Sequence, residues 1–374
     1  MPTRPSPRPA PTARLTADTQ VAKACKHVVR HLHSHGLRAG DRLPAQAEFR
    51  EATEFSNDTL SAAMRILVQA GLLQRKTKVG TVVDHPDAVI RGLWTVGLAF
   101  PSDALCRVPF FSQLLGALQA QLAQAECRCR FYLGTAISRG PRYFSDFPFL
   151  EEDLAEGRLD AVIIPAEVEP ASWDRFLAAG GIPVYVGSSD KLRCAVLIEQ
   201  KTMVRQAVNL LARQGCRRLA VATYAYPHPG YDHYWIGLQD DLAKAGLPLL
   251  AEEPISSNSM NGAAGGRRIA ADLLARPPQQ RPDGVVVLDD WLAMGLAAAL
   301  REAGGYTPKL VVQCNKQAPL AFALPATRFQ VDVEELAAQS VALMLERLNA
   351  PARPERIRWL QPQLANTRRE GTPP

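Results

Sequence analysis

Residues 56–83, SNDTLSAAMRILVQAGLLQRKTKVGTVV, change character halfway through. Leu60, Ala63, Met64, Leu67 and Val68 recur at helical spacing, and Ser56 stands where a hydroxyl can accept an amide hydrogen from the first turn. Gly71 stops that pattern. The second half, LLQRKTKVGTVV, has apolar ends around a basic centre and reads as a hairpin. A helix with one apolar stripe needs partners to bury it, so the reading extends toward the N-terminus.

From Thr16 to His35, the residues Val21, Ala24, Cys25, Val28, Val29 and Leu32 again follow a helical period, with Thr16 or Asp18 placed to cap the start. The stretch HGLRAGDRLPAQAEF, 35–49, holds a turn at Gly36 and Ala39-Gly40-Asp41. It then opens a short helix at Pro44 that carries Ala47 and Phe49. Three helices and a hairpin make a winged helix-turn-helix over residues 15–84. In that geometry the third helix enters the major groove and the hairpin tip meets phosphate or the minor groove.

Charge supports a polyanion partner. Residues 1–91 hold 14 of the 43 Lys and Arg and 8 of the 37 Asp and Glu, so they carry the whole net charge of +6. They also hold five of the seven histidines. A small basic module on a neutral body suggests nucleic acid, although a solvated basic surface would give the same count. No apolar run approaches the roughly 18 residues of a membrane helix, so no membrane partner is expected. Residues 1–14, MPTRPSPRPAPTAR, are proline-rich and basic with no apolar stretch behind them, which predicts a disordered tail, no secretory signal and a cytoplasmic protein. The seven cysteines are scattered without a C-x-x-C pair, so buried or free thiols are expected instead of disulfides or zinc.

After a linker at 85–94, apolar strand candidates alternate with helices. The strands are 95–100, 130–133, 161–165, 184–186, 218–223, 284–288 and 309–313; the helices include 109–124, 201–214, 235–245, 267–275 and 291–303. This alternation predicts an α/β body of parallel sheets flanked by helices, with ligands collecting beyond the carboxyl ends of the strands. No catalytic or cofactor motif emerges: there is no Gly-x-Ser-x-Gly, Walker loop or His-Glu-x-x-His. The glycine run 262–266, GAAGG, reads as loop and helix start, and His228 and His233 fall in an aromatic and proline-rich loop. The Asp289-Asp290 pair is, taken alone, an acid/base candidate.

The N-terminal module, through GDRLPAQAEF, SNDTLSAAMRIL and AGLLQRKTKVGTVV, resembles the GntR family of bacterial transcription regulators. The resemblance implies DNA contacts from Arg42, Ser56, Asn57, Thr59, Ser61, Arg75, Lys76, Lys78 and Gly80. The chain departs from the family in having Asn57 and Ser61 where arginines are usual, Ala47 for a third arginine, and Lys78 for the wing-tip glycine. Asn57 could read adenine through its N6 and N7 edge, but the family's guanine preference does not carry over.

The body resembles the LacI/GalR effector domain, a two-lobed periplasmic-binding-protein-like fold over about 95–364. The carriers are TVGLAFPSDALCRVPFFSQLLGALQAQL, LDAVIIPAEV, GIPVYVG, LLARQGCRRLAVAT, RPDGVVVLDDWLAMGLAAALREAG and QVDVEELAAQSVALMLERL, in that order. The resemblance implies a first lobe at 95–214 and 330–349, a second at 216–326 and 356–364, and a tail at 365–374. It also implies a small molecule clamped between the lobes by Asp103, Phe110, Phe111, Glu199, Tyr234, Asp290 and Asn315. For Phe110 and Phe111 a core reading is a serious rival. Tyr234 replaces a sugar-gripping arginine, and Asn315-Lys316 replaces an aspartate pair.

These readings converge on a homodimeric regulator of a double-stranded DNA operator, controlled by a sugar or sugar derivative and using no cofactor. The alternatives are a sugar-binding protein and an α/β enzyme using Asp289 and Asp290.

Overall fold

The computed structural model describes residues 19–51, 53–134, 142–188, 192–224, 231–248, 255–257, 262–317 and 319–365. The expected tail at 1–14, all but the first residue of the expected tail at 365–374, and His228 lie outside these residues.

The chain opens with α1 (Gln20–Ser34), α2 (Gln46–Glu51) and α3 (Asn57–Gln69), followed by β1 (Leu73–Lys76) paired antiparallel with β2 (Gly80–Val83). Thr19, one residue beyond the expected Asp18, caps α1 by accepting from the Ala22 amide at 3.2 Å. Cys25, Val28 and Leu32 of α1 and Leu60, Ala63 and Leu67 of α3 are fully buried in one core. The 35–49 stretch does more than turn. The Gly40 and Leu43 amides donate to the Val83 and Thr81 carbonyls at 2.9 and 3.0 Å, and Arg42 bridges Val82, so this segment lines the hairpin as a third short strand.

The first lobe contains β3 (Thr95–Pro101), α4 (Ser102–Arg107), α5 (Pro109–Gln124), β4 (Arg128–Gly134), α6 (Leu150–Ala155), β5 (Ala161–Ile164), α7 (Pro170–Ala178), β6 (Ile182–Gly187) and β7 (Ala195–Ile198). The second contains α8 (Gln200–Arg213), β8 (Leu219–Tyr224), α9 (Tyr231–Lys244), β9 (Ile255–Ser257), α10 (Gly262–Ala275), β10 (Gly284–Val287), α11 (Asp290–Ala303), β11 (Lys309–Asn315) and β12 (Ala326–Val331). The chain then returns through α12 (Val333–Asn349) and β13 (Ile357–Leu360) to the first lobe, and ends on β14 (Gln363–Leu364) in the second.

The first sheet has the order β13-β7-β6-β5-β3-β4 and is parallel throughout; the second, β14-β12-β11-β10-β8-β9, is parallel except for the β14–β12 pair. Buried on both faces, the central strands are apolar along their length, as parallel sheets require.

Two boundaries differ from the sequence reading. The helix at 200–213, expected in the first lobe, buries Met203, Val204, Ala207, Val208 and Leu211 in the core formed with Val221, Val286 and Val311 of the second sheet. Residues 357–360, expected in the second lobe, pair with β7 of the first. The amphipathic period shows that α8 has a buried face, but not which sheet covers it.

The glycine run 262–266 is helical from its first residue. A Cβ on Gly266 would sit 2.0 Å from the Leu292 carbonyl oxygen, and one on Gly295 would sit 2.0 Å from that of Ala263. The glycines therefore let α10 and α11 touch backbone to backbone, and close packing outweighs glycine's poor helix propensity.

Candidate functional site

The candidate nucleic-acid interface is built on α3 and the hairpin. Ser56 caps α3, its Oγ accepting from the Thr59 amide at 3.1 Å and lying 2.9 Å from the Thr59 Oγ1. This fixes the first turn and places Asn57 exposed at its start. Asn57 and Ser61 are one helical turn apart, so they share a face. Arg65 continues that face one turn further on and is exposed. The sequence reading passed over Arg65, although its i+4 spacing from Ser61 was the available signal.

On the hairpin, Arg75, Lys76, Lys78 and Gly80 are all exposed. Lys78 has φ +67° and Gly80 φ +106°, both in the left-handed region. The tip thus holds a lysine in a conformation that favours glycine, which fits the family's usual residue there. Val79 beside it is 45% exposed, an apolar tip residue that the sequence reading also missed. Arg42 lies against the hairpin: a Cβ on Gly80 would meet the Arg42 Nε at 3.4 Å. The exposed cations of the hairpin and Arg42 are therefore gathered on one structural unit.

The candidate ligand residues stand at the carboxyl ends of strands in both lobes. Asp103 lies in the first turn of α4 just after β3, its Oδ1 accepting from the Ala104 amide at 2.9 Å. Phe110 and Phe111 begin α5 with edge-to-face rings 5.5 Å apart, half-buried and packed against the first-lobe core. Their packing there accords with the core reading. Glu199 sits at the crossing into the second lobe, where its side chain caps α8 through the Thr202 amide at 3.2 Å. Tyr234 lies on α9, but its side chain falls outside the described residues, as does that of His233.

The two aspartates after β10 divide their work. Asp289 caps α11 through the Leu292 amide at 2.7 Å. Asp290 is only 2% exposed, and its Oδ2 accepts from the Asn315 amide at 3.1 Å at the end of β11. Its Oδ1 is buried without a partner among the described residues. Burial, followed by the neighbouring Asp289 charge, pushes the Asp290 carboxyl up to about 6. Asn315 is itself buried. The structure therefore places the Asp290 carboxyl against the Asn315 backbone, at the carboxyl ends of the neighbouring strands β10 and β11. Among the described residues, no group of three or more His, Cys, Asp or Glu could hold a metal ion.

Comparison with known proteins supports both halves. Residues 20–83 match the model of the family described as bacterial regulatory proteins, gntR family, and residues 208–369 that of the periplasmic binding protein-like domain. Among solved structures, the transcriptional regulator CelR–cellobiose complex is similar at a TM-score of 0.58 and 19% identity, over 85% of this chain and 92% of that one. The lac repressor dimer bound to operator and the anti-inducer ONPF is similar at a TM-score of 0.59 and 17% identity, over 73% and 92%. A LacI family transcriptional regulator from Enterococcus faecium with bound ribose is similar at 0.54 and 21%, over 73% and 97%. A comparison with curated protein sequences gave no match. The chain therefore carries a gntR-type domain at 20–83, joined to a body whose residues 208–369 match the periplasmic binding protein-like domain and whose fold is that seen in LacI-family regulators.

Proposed function

We propose that the chain is a cytoplasmic, homodimeric transcription regulator whose hold on a double-stranded operator is set by a small polar ligand bound between the lobes. The observation that carries this reading is the joining of a capped α3 and a cationic hairpin to two parallel-sheet lobes with candidate ligand groups at their strand ends. In the reader, Asn57, Ser61 and Arg65 face base edges, Thr59 meets backbone or a thymine methyl, and Arg42, Arg75, Lys76 and Lys78 meet phosphate or the minor groove, with Val79 at the tip. A dimer supplies two readers for a two-fold operator.

In the sensor, Asp103, Phe110, Phe111, Glu199, Tyr234, Asp290 and Asn315 face the ligand. An aromatic platform with few polar groups suits a sugar or sugar derivative. Asn315 can donate as well as accept, so ligands bearing carbonyl or carboxylate groups fit better than they would opposite an aspartate. The sugars held by the two sugar-bound relatives, cellobiose and ribose, are the first probes to try.

The test is selection of a duplex by the full-length chain from random DNA, followed by titration of that duplex with cellobiose, ribose and a panel of acidic sugars. A selected two-fold motif whose affinity changes with one compound supports the reading. Absence of any enriched motif overturns it.

A further inference from the structure

The helix α12 is held at both ends by side chains from other parts of the chain. At its start, Asp332 accepts from the Lys316 Nζ at 2.5 Å, the Gln317 Nε2 at 2.6 Å and the Glu335 amide at 3.2 Å. Gln317 Oε1 in turn accepts from the Val333 amide at 3.0 Å. Lys316 and Gln317 immediately follow Asn315 at the end of β11, in the second lobe. At the far end, the Leu348 carbonyl accepts from the Arg30 Nε of α1 at 3.2 Å. Seventeen residues of α12 separate these ends, roughly 25 Å of stiff helix.

The reader is fixed at that far end by more than one bond. The Lys26 Nζ lies 2.7 and 2.8 Å from the two oxygens of Asp160, whose Oδ2 also accepts from the Thr95 amide at 2.9 Å. Both charged side chains are nearly buried, at 15% and 10% exposure. The Trp94 ring lies between the two domains, with the Arg30 guanidinium 5.2 Å and the Lys26 ammonium 5.7 Å from its centroid. Buried residues of α1 and α3 belong to the same apolar core as those of β3, β5 and α12. Asp160 and Thr95 stand at the amino ends of β5 and β3, the end of the sheet opposite Asp103 and Phe110.

We propose that α12 is a transmission rod: it ties the Asn315–Gln317 segment of the second lobe to α1 of the reader, so that the reader rides on the first lobe as one body. A movement of the second lobe that disturbs Lys316 and Gln317 at Asp332 is thereby delivered to α1. Its regulatory meaning rests on the proposed function, but the mechanical link is measurable with neither DNA nor ligand. Failure of one therefore does not decide the other.

The test is hydrogen exchange of the α1 amides, 20–34, in the full-length chain. Arg30→Met should raise exchange across α1 by roughly tenfold, because it removes the tie between α1 and α12. Lys316→Met with Gln317→Ala, at the other end of α12, should also raise exchange in α1. Adding Arg30→Met to that pair should raise it little further, since both act on one link. Exchange rising only around 332–336 in the Lys316/Gln317 variant would overturn the proposal, as would effects that multiply independently. Should Arg30→Met fail to fold, Arg30→Lys keeps a cation beside Trp94 but has no Nε–H for the Leu348 carbonyl, and takes its place in the same comparison.

Discussion

The Asp290 carboxylate is buried against the backbone of Asn315, accepting from its amide at 3.1 Å while its other oxygen faces no partner among the described residues. Burial raises its pKa from the ordinary 3.8 to about 6, so the folded chain holds this proton more tightly than the unfolded one. Stability is then greatest below the ordinary value and falls as pH rises through the interval up to about 6. Asp290→Asn keeps an acceptor for the Asn315 amide and removes the titration. Its stability relative to wild type should grow between pH 4 and pH 7 by on the order of 2–3 kcal/mol, read from denaturant midpoints at each pH. A constant difference across that range would show that Asp290 does not titrate in this window.

Lys78 offers a separation of charge from fold. At φ +67° a lysine is strained, and glycine is not. Lys78→Gly should therefore stabilise the chain or leave it unchanged, by up to about 1 kcal/mol in thermal melts. It should still weaken binding to all duplexes and lower the log–log salt slope by roughly 0.9. Unchanged salt dependence would remove the hairpin tip from the interface.

Ser56 and Asn57 are adjacent but should fail differently. Ser56→Ala removes the α3 cap and should cost about 1 kcal/mol of stability. Asn57→Ala should leave stability within about 0.5 kcal/mol, while costing about 1–3 kcal/mol on the preferred operator and relaxing one position of each half-site. The same selected motif for wild type and Asn57→Ala would exclude Asn57 from base reading.

Gly266→Ala tests the backbone contact of α10 with α11. The added methyl would meet the Leu292 carbonyl at 2.0 Å, with backbone on both sides and no flexible side chain to yield. The helices must separate, at a cost of about 3 kcal/mol or more. Gly116→Ala, where a Cβ meets nothing within 4 Å, is the matched control and should be neutral or stabilising.

The reader was largely legible in the sequence because its signals are local: cap, apolar period, stop and basic hairpin all lie within 56–83. Most strands after 95 that are buried on both faces were legible as apolar runs, although β7, equally apolar and buried, was passed over. What escaped depends on distant partners. The strands β9, β13 and β14 are short and owe their existence to a neighbour, and β7 lies between polar segments. The pairing of Lys26 with Asp160 joins residues 134 apart, with no local trace of either partner. The Asp289-Asp290 pair was visible, but their different roles follow from backbone direction at the start of α11, which composition does not encode.

The mounting of α1 has a consequence for how such a chain can be assembled or re-engineered. A head transplanted from another regulator would bring a first helix not selected to supply the Lys26 cation, leaving the nearly buried Asp160 carboxylate with the Thr95 amide alone. The two halves are therefore not interchangeable cartridges. Redirecting the chain to a new operator calls for a smaller graft: the outward face of α3 and the hairpin tip, with the native first helix kept in place.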